Sequence, residues 1–142
     1  MLQTKAFDHQ QQIPAVIKAM IGAETETAKG IDPKLRHLVK LRASQINGCA
    51  FCVKMHLAEA RKDGETQDRL DRLVIWEHVD DFSEREKAAL AWTEALTYLD
   101  RGADHAPLKQ RLAQSFSDPE IATLTATIAM INLWNRLMVA TH

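Results

Sequence analysis

The sequence has no long run of like charge, no low-complexity tract and no internal repeat. Its 18 basic and 19 acidic residues nearly cancel, leaving a formal net charge of -1. A nucleic-acid binder carries a basic stripe or patch as its electrostatic footprint. None is visible, so no nucleic-acid partner is expected. A basic amphipathic segment of the kind that lies on membranes is also missing. The N-terminal stretch from Met1 to Gln10 lacks the apolar core of a signal peptide, and the expected compartment is the cytoplasm. Residues 121–140 are long and largely apolar, yet they hold Thr123, Thr125, Thr127, Asn132, Asn135 and Arg136. A charged residue costs roughly 2.5–3.5 kcal/mol at a bilayer centre. This segment reads as a central buried helix, and no membrane partner is expected.

Cysteine is scarce as well. There are two, Cys49 and Cys52, with no second Cys-x-x-Cys and no His-x-x-x-His. Structural zinc usually needs such a second pair. Paired cysteines in a reducing compartment are more often catalytic or metal-binding than structural.

What the chain does have is helix signals. Strand signals are weak. With 142 residues and 46% apolar content it has the size of one domain, spanning 1–142. Apolar residues at helical spacing predict a first helix over 12–29, with Gly30 as its stop. Asp32 and Pro33 form a cap-plus-proline start for a second helix, which the pair Asn47 and Gly48 breaks. A third helix is expected from that break to about Asp63, with Gly64 behind it, and a fourth after Thr66. Ser83 and Glu86 have capping-box spacing before the run 88–99. A short helix over 107–115 follows, and Asp118 with Pro119 opens the last. The expected fold is an all-α, single-domain bundle of six or seven helices.

The last helix is apolar on two stripes. Ile121, Leu124, Ile128 and Ile131 form one; Ala122, Ala126, Ala129, Leu133 and Leu137 form the other. A helix apolar on all sides is surrounded by protein, and in so small a domain a homo-oligomer is expected through this helix. Met130, Trp134 and Met138 are suited to such an interface core.

The chemistry concentrates around the two cysteines. His56 lies four residues beyond Cys52. At 100° per residue, Cys49, Cys52 and His56 fall within a sector of roughly 60° on one helix face. Cys52 and His56 are i,i+4 neighbours, so the imidazole can take the thiol proton. The two cysteines are close enough within one turn to form a disulfide. The break at Asn47 and Gly48 places Cys49 in the first turn, where free N–H groups stabilise a thiolate. The helix end favours Cys49 as nucleophile and the histidine favours Cys52; these residues alone leave the order open. They also leave open a pair that exchanges disulfides or senses redox state without touching peroxide, and a zinc-binding oligomeric module.

Residues 41–56, Leu-Arg-Ala-Ser-Gln-Ile-Asn-Gly-Cys-Ala-Phe-Cys-Val-Lys-Met-His, resemble the core of AhpD-like alkylhydroperoxidases within the carboxymuconolactone decarboxylase superfamily. Residues 84–97 and 131–136 are similar to later segments of the same proteins. The resemblance implies an all-α fold, trimers or hexamers, and a peroxiredoxin-type peroxidase acting on hydrogen peroxide or organic hydroperoxides. It implies no bound cofactor, and a dithiol or thioredoxin-like electron donor. By motif position it makes Cys52 peroxidatic, Cys49 resolving and His56 part of the proton relay. The decarboxylase branch lacks the cysteine pair, so decarboxylation is not implied. Where the peroxidases carry a glutamate twelve residues before the first cysteine, this chain has His37; where they carry a histidine between the cysteines, it has Phe51. His37 is the candidate substitute base. Glu94, an acid set in an apolar run, is a second candidate. Arg42 and Arg136 interrupt apolar helices and need partners, expected among Glu86 and Glu94 with Asn132 and Asn135 nearby.

Overall fold

A computed structural model describes residues 7–142. Residues 1–6 of the N-terminal stretch lie outside the described residues. Eight α-helices and one 3-10 segment follow in order: α1 (His9–Gln12), α2 (Pro14–Ala28), α3 (Pro33–Ile46), α4 (Ala50–Lys62), α5 (Gln67–Arg72), the 3-10 segment Leu73–His78, α6 (Glu84–Tyr98), α7 (Ala106–Ala113) and α8 (Asp118–Thr141). The described residues contain no strand. The all-α expectation holds, with more elements than the six or seven expected.

The extra elements have local causes. The helix expected over 12–29 is split at Ile13, because a residue before proline is driven out of the helical region. Ile13 sits at φ -134° and Pro14 begins α2. The segment after Arg72 tightens to 3-10 geometry, with a non-helical residue at Ile75. Elsewhere the caps act as their residue types require. The side chain of Asp32 accepts from the Leu35 amide, and that of Thr66 from the Arg69 amide. Ser83 and Glu86 form a reciprocal capping box. At α8 the cap is Ser117, not Asp118; Ser117 and Glu120 form a second capping box, and Asp118 is already inside the helix. No described helix is long and apolar enough to cross a membrane.

Helix α3 is the centre of the domain and packs against α4, α6 and α8. Its two faces serve two clusters. Leu35 and Val39 join Ala88, Trp92, Leu112, Leu124 and Ile128. Leu38 and Leu41 join Leu70, Leu73, Trp76, Phe82 and Leu90. Most of the first α8 stripe, Leu124, Ile128 and Ile131, is thus spent inside the chain. On the second stripe Ala122, Ala129 and Leu133 are exposed. Gly30 lets α2 turn close to α8, since a Cβ there would meet the Thr123 hydroxyl at 2.8 Å.

The two arginines behave differently. Arg42 Nε donates to Glu94 Oε1 at 2.8 Å. Glu86 instead pairs with Arg69. Arg136 is exposed and donates to the Asn132 carbonyl within its own helix.

The two-sided burial of α3 sets a measurable cost. Leu38→Ala removes a fully buried side chain and lowers unfolding stability by about 2–5 kcal/mol. Val74→Ala, at an exposed position, changes it by less than about 0.5 kcal/mol. Equilibrium urea unfolding followed by tryptophan fluorescence checks the contrast.

Candidate active site

The site is built on the turn between α3 and α4. Helix α3 ends with Asn47 and then Gly48 at φ 65°, the left-handed region that glycine enters without a Cβ penalty. The Gly48 amide donates to the Gln45 carbonyl at 3.2 Å and the Cys49 amide to the Ser44 carbonyl at 3.1 Å. This pair of bonds is a Schellman closure. Cys49 therefore ends one helix while capping the next. It is the N-cap of α4, one position before the expected first turn, and its Sγ accepts from the Cys52 amide at 3.3 Å.

A buried polar network clamps this turn to α8. Asn47 Nδ2 donates to the side-chain oxygens of Asn132 and Asn135, at 2.9 and 3.0 Å. Asn135 donates onward to Ser44 Oγ at 3.0 Å, and Asn132 to Thr97 Oγ1 at 3.1 Å. The asparagines expected beside the arginines thus chiefly serve the cysteine turn.

Cys49 and Cys52 are joined as a disulfide, with Cα atoms 5.2 Å apart. Both are buried, at 2% and 1% exposure. Cys52, but not Cys49, lines a cavity of about 420 Å³ together with His56. Its walls are mostly apolar: Phe51, Met55, Ile131, Trp134 and Met138. One ion pair reaches it. Glu24 accepts from Lys40 Nζ at 2.6 Å and from the Trp134 indole at 3.1 Å, pinning α2, α3 and α8 together at this wall.

His56 is buried, and its Nδ1 donates to Glu59 Oε2 at 3.2 Å. Its pKa lies below the ordinary 6.5, because burial disfavours the imidazolium; Glu59 opposes this, while Lys40 and His37 add to it. Near neutral pH the ring is thus unprotonated.

His37 is buried in the neighbouring cavity, which shares Glu24, Lys40 and Glu59 with the first. Its Nε2 donates to Asp63 Oδ2 at 2.5 Å, and that bond holds the Asp63 carboxyl below its ordinary range. Its Nδ1 is buried without a partner. Glu94 does not join the group: its carboxylate is committed to Arg42 and to the Trp76 indole, 2.9 Å away, beside a separate cavity. Cys49, Cys52 and His56 come together, His37 stands next to them, and Glu94 lies elsewhere.

Sequence reasoning missed Glu59, Glu24, Lys40 and Asp63. Glu59 follows His56 by three residues on the same helical face, a spacing that could have found it. The others depend on contacts between helices. No group of three or more His, Cys, Asp or Glu side chains among the described residues is arranged to hold a metal ion.

The family model for carboxymuconolactone decarboxylases matches residues 11–95. The uncharacterized protein YdfG of Bacillus subtilis (strain 168) is 38% identical over 128 residues, covering 89% of this chain and 87% of that one. The uncharacterized protein YnjA of Escherichia coli (strain K12) is 30% identical over 118 residues, covering 83% of this chain and 64% of its own length. A crystal structure of a protein of unknown function from Agrobacterium tumefaciens, with a proposed assignment as the antioxidant defence protein AhpD, superposes at a TM-score of 0.90 with 36% identity. It covers 97% of this chain and 95% of its own. On a matched model spanning more than half its length, a relative 38% identical over most of both chains, and a solved structure that shares its fold at 36% identity, the chain belongs to the carboxymuconolactone decarboxylase family, among its AhpD-like members.

Proposed function

We propose that the protein is a thiol peroxidase that reduces hydroperoxides through Cys52 and Cys49. The observation that carries this reading is the asymmetry of the pair. Cys52 faces the cavity beside the unprotonated His56, and Cys49 lies behind it at the helix N-terminus. In this scheme His56 takes the Cys52 proton. The thiolate attacks the outer peroxide oxygen, the O–O bond breaks, and the alkoxide leaves as alcohol with the proton from His56. Cys52 becomes a sulfenic acid. The Cys49 thiol then attacks that sulfur, the disulfide forms and water is released.

The disulfide is reset by an external dithiol, which is oxidised in turn. Cys52 is the sulfur that faces the cavity, so it takes the attack. Cys49 leaves as a thiolate held by the Cys52 amide and the helix end. With the two cysteines only 1–2% exposed, a small dithiol that enters the cavity suits the site better than a thioredoxin-like protein that must dock its own surface thiol. No bound cofactor takes part.

Reduced protein mixed with an alkyl hydroperoxide should lose two thiols per chain as peroxide disappears. Intact thiols after hours would sink the reading. Cys52→Ser should abolish the reaction, whereas Cys49→Ser should react once and stall as a trappable sulfenic acid. A trapped acid in Cys52→Ser instead reverses the roles. Turnover should run on dithiothreitol and be slower on reduced thioredoxin.

We also propose a homo-oligomer, a trimer or hexamer, built on the exposed α8 stripe. Leu133 and Val139 on α8, Val16 and Ile21 on α2, and Phe51 and Met55 on α4 are all exposed apolar side chains. Monomers rarely leave large contiguous apolar surface uncovered. Light scattering should give a multiple of the 16.0 kDa chain, and Leu133→Asp should reduce it toward one chain. A single-chain mass for the native protein overturns the proposal.

A further inference from the structure

We infer that Glu59 is the positioning carboxylate of the thiol site: it holds the His56 ring so that Cys52, His56 and Glu59 form a thiol–imidazole–carboxylate row along one face of α4. This rests on the peroxidase reading of Cys52. It assigns to α4 itself the carboxylate role for which His37 and Glu94 were the sequence candidates.

The geometry has three parts. Cys52, His56 and Glu59 follow one another at i,i+4 and i,i+3, which places them within roughly 60° of one face. Glu59 Oε2 accepts from His56 Nδ1 at 3.2 Å. With Nδ1 carrying the hydrogen, the lone pair of the ring is on Nε2. A carboxylate at one ring nitrogen thereby sets the tautomer and angle of an imidazole that works through the other. Finally, all three residues line the same cavity.

The alternatives are occupied. His37 has given Nε2 to Asp63, and its remaining nitrogen is buried without a partner. Glu94 is paired with Arg42. Among the described residues no lysine or arginine forms an ion pair with Glu59. Its partner is His56.

The groups around the ring give the sign of the pH effect. From α3 come Arg36, His37 and Lys40; from α2, Glu24; from α4, Glu59 and Lys62, with Asp63 at its C-cap. Helix α8 lines the cavity with Ile131, Trp134 and Met138, and His142 at its end stacks on Phe51 at 5.4 Å. Burial is the largest influence and lowers the His56 pKa; Glu59 is the group that raises it. Removing the Glu59 charge lets it fall further. The acid limb of the peroxidase profile, which reports the protonation of this base, then moves to lower pH. Glu59 is about half exposed, so water screens its charge and the effect on rate is moderate.

The test uses the full chain and three variants. In Glu59→Gln the acid limb should shift to lower pH. kcat should fall by about tenfold to a hundredfold, within what a general base supplies in total, with KM nearly unchanged. Glu59→Asp should keep more activity than Glu59→Gln. His37→Gln should leave the limb closer to native than Glu59→Gln does. The melting temperature of Glu59→Gln should match the native protein. An unmoved acid limb with native kcat in Glu59→Gln, or a larger shift in His37→Gln, overturns the assignment. An NMR titration of the His56 ring in the oxidised protein separates this from failure of the peroxidase reading. Its pKa should drop in Glu59→Gln whether or not peroxide is consumed, and an unchanged titration overturns the Glu59–His56 coupling itself.

Discussion

Gly48 holds the left-handed conformation that lets α3 hand over to α4 within the three residues 47–49. A residue with a Cβ pays roughly 1–2 kcal/mol there, and the turn has little room to relax. Its own amide is already tied to the Gln45 carbonyl and that of Cys49 to the Ser44 carbonyl, and Asn47 is tied to Asn132 and Asn135. From this closure follow the position of Cys49 as N-cap, the start of the α4 register, and through it the face on which Cys52 and His56 lie. The polar network beneath has the same logic. Buried amides are tolerated only when satisfied, and these link α3, α6 and α8 just where the turn must not move.

The cavity sets a conflict that the site resolves locally. Apolar walls disfavour a lone thiolate and a lone imidazolium alike. Burial lowers the His56 pKa, which by itself leaves the ring a weaker base. On the proposed peroxidase reading, transfer of a proton from Cys52 to His56 would create both charges at once, and in a dry environment they would attract strongly. Glu59 and Lys40 flank the pair with opposite signs, one favouring the imidazolium and the other opposing it. Glu24 draws Lys40 and Trp134 to the wall and keeps the lysine charge balanced. The charges beside His56 thus oppose one another, and burial remains the largest influence on its pKa.

Local signals were the most legible. Asp32, Thr66 and the Ser83–Glu86 box appear in the structure where their sequence spacing puts them, because a cap satisfies amides within three residues of itself. The Cys49–Cys52–His56 face was legible for the same reason. Misreadings occurred where two local devices competed. Pro14 ended a helix that apolar spacing would have continued, and Ser117 outcompeted Asp118 as cap because its spacing to Glu120 completes a box. What could not be read was pairing between helices. His37 with Asp63, Lys40 with Glu24, and Asn47 with α8 join residues 16 to 88 positions apart. Nothing in the spacing of either partner encodes the other.

Helix α8 shows how one apolar segment serves two purposes. Its inner face fills the core with Leu124, Ile128 and Ile131, and its buried Thr127, Asn132 and Asn135 stay within hydrogen-bond reach of partners. Toward its C-terminal end the same helix supplies Trp134 and Met138 to the cavity, while Leu133 and Val139 look outward. The cavity mouth and the exposed apolar surface are therefore neighbours, with Phe51 and Met55 belonging to both. A substrate body and a second chain would be drawn to this region by the same burial of apolar area. Assembly on this face would deepen the cavity and dry it further, strengthening every electrostatic interaction around Cys52 and His56.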